Sequence, residues 1–197
     1  HNPMVFSSVK KEMEAMAKLA DQQKIKYVGV SNFSAKQMRE AHNELAKHGH
    51  ILASNQVQYS MLQRKIEYNE IMETAKELGV AIIAYSPLAQ GILTGKYHQN
   101  PEDIKSKKGF RKRMPSFKQK GLEKSRALID TLTKIAEQHE ATPAQVALNW
   151  LVNFHGEHVF AIPGASNSKQ AQSNAGAMNI KLTENELNAL DEESRKI

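Results

Sequence analysis

The chain has 197 residues, of which 40% are hydrophobic and 24% are charged, and it contains no cysteine. This length suits one domain of ordinary size or part of a larger one, and the apolar fraction excludes a globally disordered chain. The lack of cysteine excludes a disulfide scaffold, a cysteine-ligated zinc site and a thiol nucleophile. The longest purely apolar run covers residues 80–84 and is too short to cross a membrane.

The net charge of +6 comes from one segment. Residues 105–120 contain eight Lys or Arg and no acidic residue, which leaves 19 basic and 21 acidic residues in the rest of the chain. Three interpretations of this segment stay open. It is a loop that attracts a polyanionic cofactor, a solvated loop, or, least favoured, a nucleic-acid contact in which Phe110 and Phe117 lie among the basic residues.

Short apolar runs alternate with amphipathic stretches along the chain, and capping residues mark several helix starts. Ser34 with Gln37 and Thr183 with Glu186 have the spacing of capping boxes, and Thr142 stands before a proline that suits the first helical position. In chain order, the predicted elements are a helix at 8–22, a strand at 25–31, a helix from 34 to about 49, a strand at 51–59, a helix at 66–78, a strand at 80–86, a helix at 122–140, a helix after 142, a strand at 158–163, and helices after 167 and 183.

Strands that alternate with helices predict an α/β fold with a parallel sheet built from βα units. The strand runs are mostly apolar, as expected of parallel strands that are buried on both faces. An open doubly wound sheet and a (β/α)8 TIM barrel both fit this pattern. No Gly-x-Gly-x-x-Gly follows any strand, which weakens the dinucleotide-binding doubly wound fold, but spacing alone does not separate the two.

Polar residues follow the carboxyl ends of the predicted strands. Active sites of barrels occupy that face, so these residues are candidates for a functional site. They are Ser31, Asn32, Gln56, Tyr85, Ser86, Gly164 and Ser166.

Four ordered motifs resemble those of the aldo-keto reductases. They are GVSNFS at 29–34, NQVQYS at 55–60, AYSPLAQGILTGKY at 84–97 and IPGASNSKQ at 162–170. The closer similarity is to the branch that contains bacterial and plant NADPH-dependent reductases and the β-subunits of voltage-gated potassium channels.

This resemblance implies a (β/α)8 TIM barrel in which the four predicted strands correspond to strands five to eight. Residues 1–197 would then form the C-terminal part of a single NADP-dependent oxidoreductase domain. His1-Asn2-Pro3 does not look like a natural start, and we expect His1 to lie at the end of strand four of the family barrel. The open edges of a half-barrel also predict self-association.

The chemistry implied by the family is hydride transfer from NADPH to a small-molecule carbonyl, followed by protonation of the oxyanion. The family's acid is a tyrosine tuned by a lysine, an aspartate and a histidine. The first three are expected on the half of the barrel that these residues do not cover, which leaves His1 as the candidate catalytic residue. The alternative for His1 is an untethered terminal histidine.

The resemblance also implies a nicotinamide site. Tyr85 matches the aromatic ring that stacks on the nicotinamide, with Ser86, Pro87 and Leu88 following as in the family. Ser31, Asn32 and Gln56 match the polar residues that hold the carboxamide, which needs both a donor and an acceptor. The alternatives are that Tyr85 belongs to the core and that the other three side chains cap the following helices.

The phosphate groups of NADPH are expected at two further segments. Gly91 leads into the basic loop, which family members fold over the pyrophosphate. Residues 164–174 combine a glycine turn with a helix start, a combination that favours anions, and family members bind the adenosine 2′-phosphate there. The residues implied in that contact are Gly164, Ser166, Gln170 and Asn174.

The sequence therefore predicts an NADPH-dependent reductase of aldehydes and ketones, present as a part that lacks the catalytic tyrosine, lysine and aspartate. We expect a cytoplasmic protein with no metal and no membrane partner. Two other functions stay open: a non-catalytic, NADPH-binding regulatory subunit like the channel β-subunits, and a nucleic-acid binder that uses residues 105–120.

Overall fold

A computed structural model describes residue 3, residues 7–105 and residues 114–197. Strands in these residues are β1 (Val28–Ser31), β2 (Leu52–Gln58), β3 (Ala81–Tyr85) and β4 (Val159–Ile162). The α-helices are α1 (Val9–Asp21), α2 (Ala35–Ala46), α3 (Ile71–Leu78), α4 (Lys96–Gln99), α5 (Glu102–Lys105), α6 (Gln119–Gln138), α7 (Pro143–Asn153), α8 (Ser168–Gly176) and α9 (Glu184–Arg195).

The strands form one sheet in the order β1-β2-β3-β4. β1 pairs with β2 and β2 pairs with β3, both in parallel. Each strand lies inside one of the segments predicted as strands, so the prediction of a parallel α/β sheet is confirmed for these strands. In a parallel sheet the carboxyl ends of neighbouring strands lie at the same edge, and this places the ends of β1, β2 and β3 together.

The chain divides into two compact units. The first contains the described residues of His1–Tyr59 together with Arg64–Tyr85 and Gly156–Phe160. It holds β1, β2, β3 and the start of β4, with α1, α2 and α3 packed in sequence beside the sheet. Its core includes apolar residues from all these elements, such as Met13, Met38, Leu45, Leu52, Ile82 and Ala84.

The second unit contains Ser60–Gln63, Ala161–Ile197 and the described residues of Ser86–His155. α6 packs against α7 and α9 in this unit. Trp150 is fully buried, and its indole N–H donates to the carbonyl oxygen of Leu187 at 3.2 Å. A smaller cluster packs Tyr97 edge-on to Phe117, with 5.2 Å between the ring centroids.

Local capping signals are confirmed in detail. Ser34, Thr142 and Thr183 each accept a hydrogen bond from the backbone three residues on, and the side chain of that residue bonds back to the cap. Asn167 accepts from the N–H of Gln170 at the start of α8. These interactions are complete within four residues, which is why sequence alone locates them.

The helix predicted at 66–78 is wrong in its first turn. Lys65–Glu67 forms a separate 3₁₀ turn, and α3 begins only at Ile71. Glu70 has a left-handed backbone with φ of 65°, which a continuous right-handed helix does not allow. The helix does end at Gly79, whose φ is also 65°, as predicted.

Candidate functional site

The ends of β1 and β2 are joined through one carbonyl group. Ser31 and Gln56 are partners in the parallel register. The backbone oxygen of Gln56 accepts both the Ser31 hydroxyl and the backbone N–H of Asn32, each at 2.9 Å. Ser31 and Gln56 therefore share one face of the sheet, because residues paired across strands point the same way.

Asn32 lies just beyond β1 with a left-handed φ of 58°. Its Nδ2 donates to the Ser31 hydroxyl at 3.2 Å, and its Oδ1 accepts the hydroxyl of Tyr85 at 3.2 Å. The structure thus brings together four predicted site residues, Ser31, Asn32, Gln56 and Tyr85, which we call the strand-end cluster. Tyr85 is half-buried at the end of β3, so it is not a fully enclosed core tyrosine.

One member of the NQVQYS motif that was not predicted as a site residue sits beside this cluster. Asn55 is completely buried in β2. Its Oδ1 accepts the backbone N–H of Phe33 at 3.3 Å, and its Nδ2 donates to the carbonyl oxygen of Phe33 at 2.9 Å. The sequence does offer an indication of this role, because Asn55 lies in a segment that is predicted to be a buried strand. A buried side-chain amide needs specific hydrogen-bond partners.

The segment that follows β3 has an unusual backbone. Ser86, Ala89, Gln90 and Gly91 all have φ between 48° and 99°, in the left-handed region. The Gln90 side-chain amide donates to the Ser86 hydroxyl at 3.0 Å. Left-handed residues other than glycine cost free energy and concentrate at ligand-binding segments, which makes this turn a candidate for cofactor contact.

Within the same turn, the predicted Pro87 and Leu88 have different exposures. Pro87 is buried, and Leu88 is half-buried. The carbonyl oxygen of Leu88 accepts the N–H of Gly91 at 2.8 Å and the N–H of Leu93 at 3.3 Å. The turn is therefore held by its own hydrogen bonds.

The residues predicted to bind phosphate surround the start of α8. The Gln170 side chain accepts the backbone N–H of Ser166 at 2.7 Å, and Asn174 Nδ2 donates to the Gly164 carbonyl oxygen at 3.4 Å. α8 has no buried residue, and Gly164, Ser166 and Gln170 are exposed. The loop is thus ordered by two of the predicted side chains while its surface faces solvent.

The predicted residues are divided between the two units. The strand-end cluster belongs to the first unit, whereas the turn after β3 and the start of α8 belong to the second. His1, the predicted catalytic residue, lies outside the described residues. So do residues 106–113, which are half of the basic segment, hold five of its eight Lys or Arg residues and include Phe110.

Of the aromatic residues in the basic segment, Phe117 has a structural role. It is 4% exposed and packs against Tyr97. A buried ring is not accessible for stacking on bases, which removes one argument for nucleic-acid binding. Lys118 and Lys120 are exposed beside it.

Among the described residues, no helix is long and apolar enough to cross a membrane. No group of three or more histidine, aspartate or glutamate side chains is arranged there to hold a metal ion. His50 and His139 each contact a single carboxylate, of Asp21 and of Glu186, with 2.8 Å between the ring nitrogen and the carboxylate oxygen.

Comparisons with known proteins agree with the motifs. The model of the aldo/keto reductase family matches residues 1–195. Aldo-keto reductase str7 of Strobilurus tenacellus is 43% identical over 178 residues, which are 89% of this chain and 51% of that protein. Probable aldo-keto reductase 1 of Glycine max is 34% identical over 177 residues, 90% of this chain and 48% of that protein.

A solved structure shows the same relationship. The thermostable aldo-keto reductase Tm1743, crystallised with the inhibitor epalrestat, superposes on this chain with a TM-score of 0.73 at 29% sequence identity. The match covers 98% of this chain and 57% of the Tm1743 chain. The chain spans about half the length of the curated relatives that it matches. From its family match, its relatives and its parallel α/β sheet, the chain belongs to the aldo/keto reductase family, whose fold is the (β/α)8 barrel.

Proposed function

We propose that this protein is an NADPH-dependent reductase that converts aldehydes and ketones to alcohols. The observation that carries the proposal is the strand-end cluster, in which Ser31, Asn32 and Tyr85 form a continuous chain of hydrogen bonds. The family to which the chain belongs, and the oxidoreductase relatives named above, support the same reaction class.

The residues of the strand-end cluster fit a nicotinamide. A carboxamide needs one partner that accepts and one that donates, and the Asn32 and Gln56 amides and the Ser31 hydroxyl offer both. The half-buried ring of Tyr85 offers an apolar face for stacking on the nicotinamide. NADPH, when bound, supplies the hydride, and the proposed role of these side chains is to select the face of its ring.

The phosphate end of the cofactor fits the start of α8. Backbone N–H groups at a helix start carry partial positive charge and favour a phosphate. Ser166, Gln170 and Asn174 would hold the 2′-phosphate and adenosine, and the exposed Lys169 would add charge. In the same proposal, the turn from Ser86 to Gly91 and the basic residues after it contact the pyrophosphate.

We further propose that the four strands correspond to strands five to eight of the family barrel and that the protein acts in the cytoplasm. Two observations support the correspondence with strands five to eight. The chain covers about half the length of its relatives, and its strands lie in the order β1-β2-β3-β4. A cysteine-free sequence suits a reducing compartment. In this proposal His1 is the histidine of the catalytic tetrad, and residues 1–197 do not contain the tyrosine that donates the proton.

Cofactor titration tests the function. We expect NADPH to bind the chain and to bind more tightly than NADH, as followed by nicotinamide fluorescence. Residues 1–197 alone should not reduce an aromatic aldehyde, because hydride transfer to its carbonyl carbon is slow when no acid protonates the alkoxide that forms. An absence of NADPH binding would contradict the function, whereas aldehyde turnover by these residues would contradict the assignment of the proton donor.

Self-association is a separate proposal. β4 lies at one end of the sheet order and carries Phe160 and Ile162, which are 57% and 47% exposed. An end strand with exposed apolar side chains is a template for pairing with another strand. We expect concentration-dependent sedimentation that Phe160→Lys reduces, and a monodisperse wild-type monomer would contradict it.

A further inference from the structure

Asn55 points away from the strand-end cluster that its neighbour Gln56 joins. Side chains alternate along a strand, so Asn55 and Gln56 face opposite sides of the sheet. Asn55 shares its side with Val30 and Ile82, its register partners on β1 and β3. Its complete burial means that it cannot touch a cofactor directly.

The amide of Asn55 nevertheless holds the backbone next to the cluster. Its two polar atoms bond the N–H and the carbonyl oxygen of a single residue, Phe33, at 3.3 Å and 2.9 Å. β1 has already ended at Ser31, so the side chain replaces the strand neighbour that Phe33 no longer has. Phe33 itself is 3% exposed, and no solvent competes for these bonds.

Asn32 is therefore held on both sides. Its own N–H donates to the Gln56 carbonyl oxygen at 2.9 Å, and the next residue is held by Asn55. Between these two attachments Asn32 takes its left-handed φ of 58°, a conformation that surrounding contacts must maintain. The direction of the Asn32 side chain toward Ser31 and Tyr85 depends on that backbone.

We propose that Asn55 is a positioning residue, which keeps Asn32 in the conformation that presents its amide to the nicotinamide carboxamide. This inference rests on the proposed function. Asn55 acts through the Phe33 backbone and makes no contact with the cofactor. Its effect should thus be confined to the nicotinamide half of the dinucleotide.

The test compares two ligands on the full chain. NADPH carries the nicotinamide, whereas 2′,5′-ADP carries only the adenosine and its 2′-phosphate. Asn55→Asp has nearly the same shape but replaces the donor to Phe33 with a buried carboxylate oxygen, and the uncharged Asn55→Ser is used if the first variant does not fold. We expect each to weaken NADPH roughly five- to tenfold, the effect of one lost hydrogen bond, with little change for 2′,5′-ADP.

Asn149→Asp is the matched control. Asn149 is also buried, at 1% exposure, and its Nδ2 donates to the carbonyl oxygens of Ala177 and Ile180, both at 2.9 Å. Its loss should lower stability without changing the ratio of the two affinities. A thermal unfolding curve for each variant confirms that folded proteins are compared.

A double variant tests the route through Asn32. In an Asn32→Ala background there is no amide to position, so Asn55→Ser should no longer weaken NADPH binding. Fully additive losses would overturn the proposal, as would an equal loss of both ligands or no loss of either in the single variants. If wild-type protein binds 2′,5′-ADP but not NADPH, or binds neither ligand, the proposed function is wrong. The proposed role of Asn55, which depends on that function, is then wrong as well.

Discussion

The hydroxyl of Tyr85 donates to Oδ1 of Asn32 at 3.2 Å and joins the end of β3 to the turn after β1. β2 lies between these strands in the sheet, so the bond crosses the end of the middle strand. Fifty-three residues separate the two partners along the chain. The bond fixes both an aromatic ring and an amide at the edge where a barrel enzyme binds its ligands.

Tyr85 should matter to the cofactor through its ring more than through its hydroxyl. Tyr85→Ala removes the proposed stacking surface and should weaken NADPH binding by about tenfold, in the range of one stacking contact. Tyr85→Phe keeps the ring and should weaken it by no more than about threefold. Fluorescence titration measures both. Tyr27→Ala, at a tyrosine that is 72% exposed and precedes β1, is the control and should bind normally.

The buried ion pair of Arg64 and Glu67 should be important for stability. Arg64 donates Nε and Nη2 to the Glu67 carboxylate at 2.8 Å and 2.6 Å, and the Tyr59 hydroxyl donates to the same group at 2.6 Å. The ionic side chains are only 5% and 6% exposed. Glu67→Ala leaves a buried guanidinium without its carboxylate and should lower the free energy of unfolding by about 3–5 kcal/mol in denaturant titrations.

Glu77→Ala is the control for that variant. Glu77 bonds Arg39 at 2.7 Å, but both side chains are about half exposed. Water screens such a pair, so its loss should change stability little. Equal effects of the two variants would show that burial does not decide the contribution of these ion pairs.

His98 should make stability depend on pH. Burial lowers the pKa of His98 below its ordinary value of 6.5, against the hydrogen bond to the Leu122 carbonyl oxygen, which raises it. Nε2 also contacts the Ser125 hydroxyl at 2.9 Å, and Nδ1 has no hydrogen-bond partner among the described residues. The folded protein therefore holds the imidazole neutral.

The sign of this effect follows from linkage. Because the unfolded chain binds the proton more tightly, the contribution of His98 is present above pH 6.5 and is lost as the pH falls through its lower folded pKa. We expect denaturant unfolding to show a loss of stability as the pH falls below 6.5, and His98→Gln should reduce that loss. An unchanged pH dependence in His98→Gln would show that His98 does not cause the effect.

Gly121 should tolerate no side chain although it lies in α6. A Cβ atom there would lie 2.3 Å from the Pro115 carbonyl oxygen and 2.7 Å from the Ser116 Cα atom. Gly121→Ala would favour an isolated helix, but the clash with backbone must displace the turn that seats Phe117 on Tyr97. We expect a net loss of about 1–3 kcal/mol in chemical unfolding, as for overpacked cores.

Lys120→Ala is the comparison for Gly121→Ala. Lys120 is the preceding, exposed residue of the same helix, so truncation should leave stability nearly unchanged or raise it slightly. An unchanged or raised stability of Gly121→Ala itself would mean that the Pro115–Phe117 turn moves freely.

The sequence alone predicts the helix caps and the positions of the strands. Ser34 and Thr183 form the predicted capping boxes, Thr142 begins the helix predicted after it, and each predicted strand segment contains a strand. The early start predicted for α3 failed, because the left-handed backbone of Glu70 is not encoded by any typical turn residue. The strand-end residues could be chosen from the family motifs, since parallel strands bring their carboxyl ends to one edge.

The sequence by itself determined the parallel α/β class, the capped starts of α2, α7, α8 and α9 and the membership of the strand-end cluster, because each depends on contacts within a few residues or on one repeated pattern. The tertiary structure decided which groups bond: Tyr85 with Asn32, Asn55 with Phe33, and His98 with Leu122. These partners are 22 to 53 residues apart. The first two pairings depend on strand register and on the side of the sheet that each side chain faces, and the third depends on how α4 packs against α6. The packed chain alone sets all three.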